Sequence, residues 1–190
     1  MAEKTTDRRT LKTRRALRDA LAELLMEKEL HKVTVQEIAD KAEVNRVTFY
    51  KHYLDVYDLY DKIESETLVE LGLLVLKLEE LPAEEFFSQI ISYISDNKPL
   101  FKMVFSPNST GQLRSKLSKL IEGLFRQMES EMLSSDITDK DLEYMSCYRS
   151  QGFLSIISKW ALGNYQEPEE RIIKIVSRLD QTVEDEFYKN

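Results

Sequence analysis

Between Asn45 and Tyr53 the chain reads Asn-Arg-Val-Thr-Phe-Tyr-Lys-His-Tyr, a dense mixture of cationic, hydroxyl and aromatic groups. On a helix, Phe49 and Tyr53 fall four apart on one side. Val47, Tyr50 and Lys51 fall on the other, flanked by Arg46 and Thr48. A face of this kind can hydrogen-bond base edges and phosphate oxygens and can pack on a thymine methyl. The residue types that catalysis would need are scattered. His31, His52 and Cys147 are the only histidines and cysteine, and their wide spacing indicates neither a metal-ligand set nor a Cys/His dyad. No glycine-rich phosphate loop and no His-Glu-x-x-His pair occurs. The many carboxylates read as solvated helix faces. The expectation is a protein that is not an enzyme and has no metal site and no cofactor.

Helices must position these groups. Thr34-Val35-Gln36-Glu37 has the spacing in which a threonine hydroxyl and a glutamate cap each other's free amides at a helix start. Val35, Ile38, Ala39 and Ala42 give that helix one apolar face. Glu43-Val44 then interrupts it, and Asn45 is a good cap for a second short helix running to about Tyr53. Two short helices joined by such a turn form a helix-turn-helix unit. Ahead of it, Leu17, Ala20, Leu21, Leu24 and Leu25 mark an amphipathic helix from about Arg9 to Lys28. Its start is a basic arm, with Lys4, Arg8, Arg9, Lys12, Arg14, Arg15 and Arg18 against Glu3 and Asp7 alone.

A long helix follows from Val56 to Leu81-Pro82, then one through Phe86 to Ile94 and a short one from Pro99 to Phe105. After a loop at Ser106 to Gly111, Leu113, Leu117, Leu120, Ile121, Leu124 and Phe125 mark a seventh helix. The Thr138-to-Asp141 cap opens an eighth, which stops at Gly163-Asn164, and a ninth begins after Pro168. No strand-like alternation competes, so the predicted class is all-α with nine helices. Five Gly and four Pro in 190 residues are too few for a turn-rich fold. One cysteine cannot form an intrachain disulfide, and no apolar run approaches the roughly 20 residues of a membrane span, so a cytoplasmic protein with no membrane partner is expected. The formal charge of -7 argues at first sight against a polyanionic partner. Its distribution reverses that: residues 1–54 hold 12 basic and 9 acidic side chains, and residues 55–190 hold 15 and 25.

The stretch from Thr34 to Tyr53 closely resembles the DNA-binding segment of the TetR/AcrR family of bacterial transcriptional regulators. It has a Thr-Val-x-x-Ile-Ala start, a turn, and then Thr48-Phe49-Tyr50-Lys51-His52-Tyr53. Asp96 to Lys102 and Gly152 to Trp160 look, more loosely, like one C-terminal type within that family. The resemblance implies a three-helix head over residues 1–54 that binds double-stranded DNA and a ligand-binding and dimerisation body over residues 55–190. By resemblance and by facing, Arg46, Val47, Tyr50 and Lys51 are the groove contacts. Asn45, Thr48, His52 and Thr34 match positions that hold phosphates, and Arg14 of the basic arm adds a further contact. Two positions depart from the family pattern. Glu43 stands where the turn often has glycine, and Val56 where the fourth helix usually starts with a lysine.

The resemblance further implies a homodimeric regulator, most often a repressor, that binds a palindromic operator and is released by a small effector of unknown identity. Phe153, Ile156, Trp160, Ile172, Ile175, Val176, Leu179 and Val183 are candidates for the dimer interface. Phe86, Phe87, Ile90, Phe101, Phe105, Leu117, Ile121, Leu124 and Tyr148 are candidates for an apolar effector pocket. The same stripes also suit plain core packing. Arg149 is the one charge on an inward stripe. The alternative is a co-activator or interaction protein of the same fold, governed by a protein partner rather than a ligand.

Overall fold

The computed structural model describes the backbone of residues 2–78, 81–130 and 137–188, and within them the side chains of residues 8–127 and 137–186. Among these described residues the chain is all-helical and has no strand. The helices are α1 (Ala2–Glu27), α2 (Val35–Lys41), α3 (Arg46–Tyr50), α4 (Val56–Leu78), α5 (Ala83–Asp96), α6 (Lys98–Phe105), α7 (Gln112–Ser130), α8 (Asp139–Leu162) and α9 (Glu169–Tyr188), with a 3-10 turn at Leu30–Lys32. The basic arm is itself helical, since nothing between Ala2 and Arg9 breaks a helix; the side chains of Glu3, Lys4 and Asp7 lie outside the described residues. α3 ends before the expected Tyr53 because its last turn tightens: the Lys51 amide donates to the Thr48 carbonyl at 3.3 Å and the His52 amide to Phe49 at 2.9 Å.

The chain forms two compact units, and they divide it differently from a boundary at residue 54. One comprises Met1–Thr67 and Pro99–Gln112, the other Leu68–Lys98 and Leu113–Asn190. In the first, α1 packs on α2 and α2 on α3. Leu17, Leu21 and Leu25 of α1 are buried, as are Ile38 and Ala39 of α2, Phe49 of α3, Tyr53, and Leu59, Tyr60 and Ile63 of α4. Burying side chains of this size contributes about 1.5–3 kcal/mol each. The segment read as a plain loop after Phe105 belongs to this unit and caps α1. Ser106 Oγ donates to the Leu25 carbonyl at 2.6 Å and Asn108 Nδ2 to the same oxygen at 3.1 Å. The Leu30 amide in turn donates to the Asn108 carbonyl at 3.4 Å. The Leu25 carbonyl is one of the last four of its helix, which have no partner within it. Tyr60 Oη and Thr110 Oγ1 share a further bond at 3.1 Å.

In the second unit α5 packs on α9 and α8 on α9. Phe86, Phe87, Ile90, Ile91 and Ile94 of α5 are buried, as are Phe153, Leu154, Ile157 and Trp160 of α8 and Ile172 and Val176 of α9. The stop of α8 is a left-handed cap in which the Asn164 amide reaches Ala161 and the Tyr165 amide reaches Trp160. The left-handed residues are Asn164, at φ 57, and Tyr165, at φ 55, rather than Gly163. Gly163 is needed for close approach instead, because a Cβ there would lie 2.9 Å from the Lys159 carbonyl oxygen. The Trp160 and Tyr165 rings meet edge to face at 4.8 Å, which supplies the apolar contact that accompanies this cap.

The inward Arg149 is fully engaged. Its Nε and one terminal nitrogen donate to the two oxygens of Asp180 at 2.8 and 2.7 Å, and the latter nitrogen also reaches Glu184 at 3.0 Å. Its guanidinium lies 4.4 Å from the centre of the Phe125 ring. The Arg149 and Asp180 side chains are 2% and 7% exposed. Neither charge has water to fall back on, so each depends on the other. Arg149→Met strands the Asp180 carboxylate and is expected to cost about 3–5 kcal/mol in urea unfolding. Arg149→Lys, which keeps the charge but loses the two-pronged fit, should fall between Met and wild type.

Candidate nucleic-acid interface

The helix-turn-helix is built from three local devices. At the start of α2 the Thr34 hydroxyl accepts from the Glu37 amide at 3.3 Å and the Glu37 carboxylate accepts from the Thr34 amide at 3.0 Å, the reciprocal cap read from sequence. Lys28 also pairs with Glu37. The hydrogen bond from Lys28, followed by those from Thr34, holds the Glu37 carboxyl down at about 2. At the end of α2 the Glu43 amide donates to Asp40 at 3.1 Å and the Val44 amide to Ala39 at 2.9 Å. This is the left-handed stop that normally takes glycine, and Glu43 adopts it at φ 55. Asn45 then caps α3, its Oδ1 accepting from the Val47 amide at 2.8 Å.

With Phe49 buried behind it, α3 presents Arg46, Val47, Tyr50 and Lys51 together on its open side. Val47 is 64% exposed and Tyr50 48%, far more than core residues of their size allow. Arg46 donates to Tyr50 Oη at 3.0 Å and its guanidinium lies 5.4 Å from that ring's centre, so the two side chains order each other. Thr34 and Asn45 are exposed at the helix starts, and Thr48 and His52 are half-buried. Burial, with the charges of Arg14 and Lys51 second, pushes the His52 imidazole below its ordinary range.

Arg14 is not a free member of a basic arm. It is half-buried, bonds Tyr53 Oη at 3.4 Å and pairs with Glu66. Val56, the departure at the start of α4, is buried in the core. A cation that the sequence reading missed stands one turn and a half further on: Lys62 Nζ lies 3.4 Å from the His52 carbonyl and 5.3 Å from the centre of the Tyr53 ring, and it pairs with Asp58 at 3.0 Å. The four-residue spacing of Asp58, Lys62 and Glu66 was the available signal.

The candidate pocket residues are distributed between the units. Phe101 and Phe105 are buried in the first. In the second, Phe86, Phe87, Ile90, Leu117 and Leu124 are buried and Ile121 is half-buried. Tyr148 is exposed, and with Phe87 it borders a cleft of about 70 Å³ between α8 and α9. That is well below the roughly 300–1,000 Å³ of typical ligand sites. Of the candidate interface residues, Phe153, Trp160, Ile172 and Val176 are buried within the chain's own core. Ile175 and Leu179 are exposed, and Ile156 and Val183 are half-buried. Ile156 borders both the small cleft and a neighbouring groove of about 430 Å³ that Ile175 also lines, so these side chains form a continuous apolar face on α8 and α9. Among the described residues no group of histidine, cysteine or carboxylate side chains is placed to hold a metal ion, and no helix is long and apolar enough to cross a membrane.

An all-helical chain whose N-terminal helix-turn-helix bares a cationic and aromatic face is of the DNA-binding regulator class. Residues 17–61 match the family described as bacterial regulatory proteins of the tetR family, and residues 83–181 match that of a transcriptional regulator C-terminal region. The chain belongs to the TetR family of transcriptional regulators. Over 70 residues it is 34% identical to YxbF of Bacillus subtilis (strain 168), an uncharacterized HTH-type transcriptional regulator; the match spans 36% of this chain and 18% of that protein's length. A TetR/AcrR-family regulator from Aquifex aeolicus VF5 superposes with a TM-score of 0.69 at 16% identity, covering 90% of this chain and 99% of that one. FadR from Bacillus subtilis, in complex with stearoyl-CoA, does so with 0.62 at 14% identity, covering 86% and 95%. At these identities the two structures speak for the fold.

The left-handed turn yields a stability prediction. Glu43→Gly removes the steric cost of φ 55 and is expected to stabilise the chain by up to about 1 kcal/mol, less whatever glycine gains in unfolded freedom. Chemical denaturation measures this, and Glu43→Val should move in the opposite direction.

Proposed function

We propose that this TetR-family chain is a homodimeric repressor that binds a palindromic operator through α2 and α3 and is released by a small, largely apolar effector. The carrying observation is the open face of Arg46, Val47, Tyr50 and Lys51, fixed from behind by the buried Phe49. Arg46 and Lys51 suit guanine N7 and O6, and Val47 suits a thymine methyl. Thr34, Asn45, Thr48 and His52 would hold phosphates at the rim, with Arg14 beside them. One head offers few base contacts, so specific recognition calls for two, related by the same symmetry as the operator. Residues 1–54 form the DNA-reading part in this scheme, and residues 55–190 serve assembly and response in the cytoplasm.

The continuous apolar face of Ile156, Ile175, Leu179 and Val183 supports self-association, because such a surface is costly to leave in water. The effector reading is supported by the apolar side chains of Phe86, Ile90, Leu117 and Leu124 in the second unit, which a ligand would reach by displacing their packing. The stearoyl-CoA held by FadR is a precedent for a ligand with a long apolar part on this fold.

Gel filtration should give about twice the 22.3 kDa chain mass for wild type and the single mass for Leu179→Glu, which places a charge at the centre of that face. In a mobility-shift assay on the DNA upstream of the coding region, Tyr50→Ala and Lys51→Ala should each lose about 1–3 kcal/mol of binding, roughly fivefold to 150-fold. A wild type that shifts neither this DNA nor any fragment from a genome-wide selection would favour the alternative of a co-activator governed by a protein partner, which the buried Val56 also fits.

A further inference from the structure

Three elements of the first unit bring cations to one place. Arg14 comes from α1, Lys51 and His52 from the turn that ends α3, and Lys62 from the second turn of α4. Tyr53 is the common neighbour of Arg14, Lys62 and His52. Arg14 Nε lies 3.4 Å from its hydroxyl and Lys62 Nζ 5.3 Å from its ring centre, while Lys62 also reaches the His52 carbonyl at 3.4 Å. The His52 imidazole among them is lowered first by burial and second by the charges of Arg14 and Lys51. Both outer cations are answered by carboxylates of α4: Glu66 pairs with Arg14 and Asp58 with Lys62. Asp58, Lys62 and Glu66 stand four residues apart along a single helical stripe. Arg14, Lys62 and Glu66 remain open to solvent, their side chains 36%, 45% and 53% exposed, while Asp58 is 22% exposed. Ion pairs this open are weak and readily exchanged.

We propose that Lys62 is a further DNA-phosphate-binding residue, and that in the free protein Asp58 and Glu66 occupy Lys62 and Arg14 as internal stand-ins for phosphate, which the DNA backbone must displace. The inference rests on the DNA-binding reading above and deepens it. Lys62 supplies from the flank of α4 the cation that buried Val56 does not supply from its start. The carboxylates set a threshold. A duplex has to offer phosphate at both cations together to win the exchange, and this lowers affinity for poorly aligned, non-specific DNA.

The test uses the full chain and a labelled mixed-sequence duplex, with binding followed by fluorescence anisotropy between about 50 and 200 mM salt. Lys62→Gln is expected to bind several-fold more weakly at the low-salt end and to reduce the slope of log affinity against log salt by about 0.9, the loss of one phosphate contact. Lys62→Arg should restore both. Glu66→Gln should bind the same duplex several-fold more tightly. It is preferred to a change at Asp58, which also accepts from the Leu54 amide at 2.8 Å and so holds the start of α4. Thermal melts coincident with wild type assign these changes to the interface. Lys62→Gln with wild-type affinity and slope, or Glu66→Gln binding no more tightly than wild type, overturns the inference while leaving the DNA-binding reading intact. A wild type that binds no duplex overturns both.

Discussion

The burial of Phe49 is the constraint on which the DNA-facing side of the molecule depends. α3 has five residues, far below the length at which a helix persists alone in water. It exists because one aromatic side chain is removed entirely from solvent between two neighbours, with Tyr50 and Tyr53 at 5.6 and 5.7 Å from its ring. Every outward side chain of α3 inherits its direction from that anchor. The Asn45 cap before it and the tightened turn after it are subordinate, since they satisfy amides of a helix that packing has already fixed.

What the sequence made legible was local, and what it concealed was long-range. Thr34 with Glu37, Thr138 with Asp141, and Asn45 could each be read because donor and acceptor lie within one turn of chain. Glu43 was legible as a conflict, a residue with a Cβ where the turn favours none, and its φ shows that the turn kept its geometry and bears the strain. Arg14 gave no sign of its engagement, because Glu66 lies 52 residues away and nothing in the arm distinguishes a paired arginine from a free one. Arg149 was recognisable as a charge on an inward stripe, yet its partner Asp180 sits on another helix among polar neighbours. The stripes of α8 and α9 were ambiguous for a further reason. Periodicity marks which side of a helix is apolar and leaves open whether the same chain or a second one covers it. Here Phe153, Trp160, Ile172 and Val176 are covered from within, and Ile175 and Leu179 are not.

The same separation applies to charge. The excess of basic residues in the N-terminal part is a property of composition, and it describes the far field that a polyanion meets first. The near field is set by which cations are already answered, and there the arrangement is less permissive: α4 carries its acidic groups alongside the cationic patch rather than away from it. Attraction at a distance and selectivity at contact therefore come from different residues.

The bonds from Ser106 and Asn108 to the Leu25 carbonyl bear on how the molecule comes into being. They join positions 81 and 83 residues apart, and the Leu30 amide likewise waits on Asn108. A chain emerging vectorially from the ribosome makes α1, α2 and α3 first but has no partner for the end of α1 until α4, α5 and α6 have also been synthesised. The first unit thus waits for its last segment, Pro99–Gln112, until Leu68–Lys98 of the second has been made. A head exchanged between relatives at the point where its helix-turn-helix ends would arrive without the strap that finishes it.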